Sequence, residues 1–222
     1  MIVHEPKNGN GLNGTHFDIV EVDAEVLGGS DTIAGPEGVP QERYEELVRD
    51  QLVLLGHDPT VNGLAETPAR VARFHLEHFK HQEDPIAEAA RHLKPFDAPE
   101  HPSLVAITCS FSAFCEHHLL PFFGTAQVVY LPDKQITGLS KISRVIASLT
   151  SRPQIQERIT SETAETMMHL DPVGVLVDLD AEHTCMRVRG VSDPCSSTRT
   201  RIALGQFKDN VDLRNQAVEM LK

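Results

Sequence analysis

No stretch of the chain approaches the ~20 consecutive apolar residues that a helix needs to cross a bilayer. The opening segment, "MIVHEPKNGNGLNGTHFD", lacks the basic-then-apolar layout of a secretion signal, and the expected setting is the cytoplasm. Surplus positive charge is missing too. A net charge of −12 repels phosphodiester backbones and anionic lipid alike, which argues against nucleic acid and membrane partners. The four cysteines, at 109, 115, 185 and 195, do not form a CxxC…CxxC pattern, so a closed four-cysteine zinc knuckle is not expected. Cytoplasmic thiols stay reduced, which favours a metal or catalytic role for them over a disulfide framework. There is no internal repeat.

What remains is an ordinary globular composition, 40% hydrophobic and 23% charged, over 222 residues. Residues 1–40, rich in Gly, Asn and Asp, read as a flexible tail in which "HFDIVEVDAEVL" could pair locally. Residues 41–103 read as a helical region and connector. There Tyr44, Leu47, Val48, Leu52 and Leu55 recur at helical spacing up to Gly56, and Thr67 and Pro68 suit the cap and first position of a second helix. Residues 104–222 read as the domain bearing the site. "LVAIT" and "TAQVVYLP" are expected strands, "GLSKISRVIASLTS" and "QIQERITSETAETMMHL" helices split at Pro153. "VGVLVDLD" alternates as a strand, "CMRVRG" and "TRTRIALG" follow as strands, and "DNVDLRNQAVEMLK" closes as a helix. Two helices between antiparallel strand pairs predict an α+β domain.

The densest chemistry lies in "FCEHHLLPFFG", residues 114–124, where Cys115 and His118 form a C-x-x-H pair. A third ligand must come from elsewhere, and "EHTC" offers His183 and Cys185. Two thiolates and an imidazole suit Zn2+ and leave a fourth position for water; a thiolate-rich site also accepts Fe2+. The alternatives are a closed structural zinc with Cys115, His117 or His118, His183 and Cys185, and a buried loop without metal. If 183–190 is extended, His183, Cys185, Arg187 and Arg189 share a face, with Cys185 and Arg189 about 13 Å apart, the span of an extended nucleoside triphosphate.

An anion site is the second expectation. "GLSKISR" places Ser140 at a helix N-cap, with Lys141 and Arg144 one turn apart, and Arg189, Arg70 and Arg73 could complete a phosphate cradle. Gln156 and Glu157 in "PQIQER" supply an amide and a carboxylate, the groups that can pair with the N1–H and 2-amino edge of guanine. Arg199 and Arg201 share a strand face and are expected to meet a neighbouring subunit or solvent; Cys195 has no evident role.

Taken together, "GLAETPARVAR", "CEHHLLPFFGTAQVVYLP", "GLSKISRV", "RPQIQERIT", "EHTCMRVRGV" and "STRTRIALGQF" resemble the GTP cyclohydrolase I family over roughly residues 42–222. The resemblance implies a tunnelling fold: antiparallel sheets, each with two helices packed on one face, closing into an oligomeric barrel, in decamers of two stacked pentamers. It implies zinc on Cys115, His118 and Cys185, and proton transfer by His117 and His183. It assigns the triphosphate to Ser140, Lys141, Arg144, Arg189, Arg70 and Arg73, and guanine to Gln156 and Glu157. The implied reaction hydrolyses GTP at C8 with a zinc-activated water, releases formate and yields 7,8-dihydroneopterin triphosphate for tetrahydrofolate or pterin synthesis. Arg73 stands where the family often has Lys, and the two are not equivalent at a phosphate contact.

Overall fold

The computed structural model describes residues 40–221 apart from positions 191 and 194. The local pairing expected within 1–40 lies outside these residues. Helix α1 (Gln41–Leu54) ends where Gly56 takes a φ of +82°, a left-handed value that glycine adopts without strain. Helix α2 (Thr67–His78) is capped by Glu66, not Thr67, so Thr67 and Pro68 form its first turn. A short α3 (Pro85–Ala90) starts at Asp84, whose side chain accepts from Ala87 N–H. Beyond it, β1 (Pro95–Asp97) pairs with β4 (Gln135–Thr137).

The main sheet has the order β5-β2-β3-β6-β7. Strands β2 (Val105–Cys115), β3 (Pro121–Leu131), β6 (Gly174–His183) and β7 (Thr198–Gly205) are antiparallel. Strand β5 (Pro153–Gln154) adds a two-residue parallel rung on Phe114 and Cys115. Both long strands run further than expected, so the loop between them shrinks to residues 116–120 and Cys115 is the last residue of β2. Gly124 allows the close approach of β3 and β6, since a Cβ there would meet Asp180 O at 2.0 Å.

Helices α4 (Leu139–Leu149) and α5 (Gln156–Met167) cover one sheet face. Their Ile142, Val145, Ile146, Leu149, Ile159 and Met167 share one buried core with Phe111, Tyr130, Val175, Val177 and Leu179. The alternating side-chain direction along β6 explains the split. Val175, Val177 and Leu179 face the helices, while Leu176 joins Val129, Phe207 and Ala217 in a smaller cluster on the other side. There a one-turn α7 (Gln206–Asp209) and α8 (Val211–Glu219) cover one end of the sheet. The architecture is the expected α+β one.

One expected strand is absent. "CMRVRG" opens with a single helical turn, α6 (Thr184–Arg187), because β3 begins only at Pro121 and offers no partner beyond the Phe122–His183 rung. The shared face and the 13 Å spacing expected from an extended 183–190 are therefore overturned. Among the described residues, no helix is long and apolar enough to cross a membrane.

Candidate metal and nucleotide site

The end of β2, the 116–120 loop and the start of α6 meet at one point. Cys115 brings a buried thiol, and the next backbone groups fold back tightly: Leu119 N–H donates to Cys115 O at 2.8 Å, with Leu119 at a φ of 53°. That left-handed residue reverses the chain within one turn and keeps His117 and His118 beside the strand end. The helical turn of α6 then delivers Cys185. The ligand atoms of Cys115, His118 and Cys185 all lie within 4.8 Å of one another. All three sequence-nominated ligands converge, and neither cysteine is in a disulfide.

The donor set fits a tetrahedral ion. Zn–S bonds of about 2.3 Å and Zn–N bonds of about 2.0–2.1 Å hold their ligands roughly 3.5–3.8 Å apart, a small contraction from the separations present. The Cys115 Sγ already lies 4.0 Å from His118 Nδ1 and 3.7 Å from His117 Nδ1. Electrostatics point the same way. Desolvation, and then the nearby Arg189 and His117, hold the exposed His118 below 6.5 and favour its neutral, ligating form. Desolvation and the adjoining Cys115 raise the Cys185 thiol above 9.0, with Arg189 opposing, so a metal there must displace a proton.

His183 closes β6 with its ring stacked on Phe122 at 4.5 Å and 9°. Its Nε2 lies 2.8 Å from Gln156 Oε1. Burial lowers its pKa from 6.5 while the carboxylate of Glu157 opposes, which places Glu157 in the same neighbourhood. Glu157 is exposed in the first turn of α5. Gln156 is not: it is 1% exposed and its amide is committed to the protein, so the expectation that it reads a base edge is corrected. Its place in α5 points it under β6 and β7, not outwards.

The loop has a support that sequence reasoning missed. Glu116 takes a fork of two bonds from Arg158, at 2.7 and 3.3 Å. Arg158 also reaches Gln154, which donates to Glu162, itself paired with Arg152. Glu116 and Arg158 both stand inside quoted motifs, but nothing in their spacing links them. The fold does so by laying α5 beside the end of β2.

The anion cluster is elsewhere in the same chain. Gly138, not Ser140, is the N-cap of α4, so Ser140 sits in its first turn, and no side chain caps the helix. Lys141, Arg144 and Lys94 crowd His92, whose pKa falls below 6.5 through burial and then through these cations. Ser143, between Lys141 and Arg144, bonds Cys109, whereas the chain reaches Cys115 only beyond the far end of α4. Six strand residues separate Cys109 from Cys115, about 20 Å at the rise of a β-strand. Arg189, by contrast, lies against His118. Arg70 and Arg73 are exposed on α2, which abuts Phe114 through Phe74 at 5.5 Å. Arg199 and Arg201 are exposed to solvent, as expected, but they are not free: both bind Asp178, which is 1% exposed. The exposed Cys195 donates its N–H to Asp193 and touches no ligand of the metal group.

Comparison with known proteins matches residues 44–222 to the family described as GTP cyclohydrolase I. A GTP cyclohydrolase 1 from Pelotomaculum thermopropionicum is 45% identical over 186 residues, 82% of this chain and 97% of that one. Those of Bacillus subtilis and Thermobifida fusca are 42% identical over 188 residues and 39% over 202, covering 83% and 88% of this chain and 97% and 95% of theirs. Almost the whole of each relative is accounted for. The chain belongs to the GTP cyclohydrolase I family.

Proposed function

We propose that this protein hydrolyses GTP at C8, opens the imidazole ring, releases formate and closes a new ring to give 7,8-dihydroneopterin triphosphate, the entry step of tetrahydrofolate and pterin formation. One observation carries the reading: Cys115, His118 and Cys185 converge with His117 beside them and His183 two residues from the last ligand. Two waters enter, one at C8 and one at the formamide, and one leaves on ring closure.

Cys115, His118 and Cys185 would hold Zn2+, with Fe2+ the alternative for the same thiolate-rich donors. A metal ion with an open position supplies Lewis acidity, bringing the pKa of a water toward about 7. Desolvation favours neutral His183, which in this reading accepts a proton, while His117, whose Nδ1 lies 3.7 Å from Cys115 Sγ, delivers one. Two proton carriers suit a reaction with several successive transfers. Glu157 accepts the N1–H and 2-amino group of guanine, a pairing that rejects bases lacking those donors.

Ser140, Lys141, Arg144, Arg189, Arg70 and Arg73 hold the triphosphate. Because Lys141 and Arg144 sit about 20 Å from Cys115 along the sheet, the cradle beside one metal is completed by the α4 end of another copy. Two strand edges support such assembly: among the described residues β7 has no outer partner, and β2 carries β5 only at its last two residues. Head-to-tail pairing of these edges closes a barrel, the tunnelling arrangement, here in a cytoplasmic decamer of two pentamers.

The test is direct. Metal-loaded protein incubated with GTP should release formate and a product that fluoresces after oxidation, and chelation should abolish both. Failure to form either with a full complement of metal defeats the proposal.

A further inference from the structure

Gln156 has more to do with His183 than with any base. Its Nε2 lies 3.1 Å from Leu179 O, 2.8 Å from Thr198 O and 3.2 Å from Thr200 Oγ1. Two of those partners are main-chain carbonyls, which only accept. This end of the amide must therefore be the NH2 group, and its orientation is fixed by chemistry. The other end, Oε1, faces His183 Nε2 at 2.8 Å. An amide oxygen only accepts, so the hydrogen of that bond belongs to the imidazole. In the neutral ring, Nε2 carries the proton and Nδ1 is the sole basic nitrogen.

The rest of the environment locks the ring in place. Phe122, fully buried, lies flat against one face of it. Gln156 holds one edge and is itself held by β6 and β7, while Thr160 bonds both the Gln156 carbonyl and Thr200. With the face set by Phe122 and the edge by Gln156, the imidazole has neither rotation nor a second tautomer available. A group that orients a histidine in this way acts through it.

We infer that Gln156 is a positioning residue for His183: it fixes the orientation of the ring and the tautomer with hydrogen on Nε2, and it does not touch guanine. This rests on the proposed role of His183 in proton transfer.

A double-mutant cycle on the metal-loaded enzyme tests it. Gln156→Met keeps the length of the side chain and removes the amide. It should lower kcat roughly 10- to 100-fold, leave KM for GTP unchanged, and leave the rate ratio of GTP over inosine triphosphate, which lacks the 2-amino group, unchanged. In a His183→Ala background the same substitution should change kcat less than about twofold, because the group it acts through is gone. Equal losses in both backgrounds mean a merely structural role and overturn the inference. A raised KM with lost discrimination against inosine triphosphate means base reading and also overturns it. The tautomer is checked without turnover by neutron diffraction of deuterated holoprotein at pH 8.5. Deuterium on Nε2 and none on Nδ1 is expected; the reverse sinks the inference even if GTP is converted. Absence of GTP turnover with deuterium on Nε2 instead sinks the assigned reaction and leaves the geometric claim standing.

Discussion

Two inactive variants should restore each other. Cys185→Ser removes one of the metal ligands, and Lys141→Ala removes a cation of the α4 cluster; each alone should abolish or nearly abolish turnover. Within one chain Lys141 lies beside Ser143, which bonds Cys109, and the metal group starts six strand residues away at Cys115, about 20 Å along β2 and too far for one nucleotide to bridge. The proposed composite site draws the metal end from one copy and the α4 end from another. If equal amounts of the two variants are dissociated and reassembled at random, about one quarter of the sites receive an intact triad and an intact Lys141, so activity returns to roughly 25% of wild type. If both groups served a site from the same chain, every site would carry a defect and nothing would return. The assay follows product fluorescence, and two different affinity tags verify that the chains have mixed. Demonstrably mixed oligomers with no more activity than the separate parents would refute the composite site.

Other substitutions separate holding the metal from moving protons. Cys185→Ser should lose bound metal by elemental analysis, whereas His117→Ala should keep it and lose product formation. Arg158→Ala frees Glu116 and slackens the loop between the ligands, so metal affinity measured by competition with a chromophoric chelator should fall roughly 10- to 100-fold while the melting temperature moves little. Acid should destabilise the fold in a defined direction. Burial, with His78 adding for His75 and Arg144, Lys141 and Lys94 adding for His92, holds both histidines below 6.5. The unfolded chain takes up these protons first, so stability is full above about pH 6.5 and declines as pH falls through the lowered folded values. Thermal melts from pH 8 to 5 should show the decline, and His92→Gln should make it shallower.

Much of this was legible in the residues themselves. The alternation of Val175, Val177 and Leu179 marked β6 and its buried face, and the Cys/His pattern named all three members of the metal group. What failed did so for tertiary reasons. Residues 185–190 read as strand because Cys, Met and Val suit one, but a strand needs a partner and β3, which begins at Pro121, offers none beyond the Phe122–His183 rung. Ser140 and Thr67 are good caps by type, yet Gly138 and Glu66 hold those places, a shift of one or two residues that local pattern cannot resolve. Gln156 and Glu157 are neighbours with opposite fates. Helical geometry turns one inward beneath the sheet and leaves the other outside, and the sequence alone carries no phase for that turn. The distance between Lys141 and Cys115 was hidden for a simpler reason: motifs adjacent in an argument need not be adjacent in a single subunit.

The clasp of Arg199 and Arg201 on Asp178 bears on life before assembly. Among the described residues β7 is an outer strand without a further partner, and an edge of that kind templates indiscriminate association. Two guanidiniums held on β7 by a carboxylate that water cannot reach keep fixed charge on that strand in the lone subunit. Fixed charge on an edge strand is a device that slows promiscuous stacking of strands. Neutral replacements at 199 and 201 should therefore reveal themselves first as poor recovery of soluble protein, before any loss in catalysis is measured.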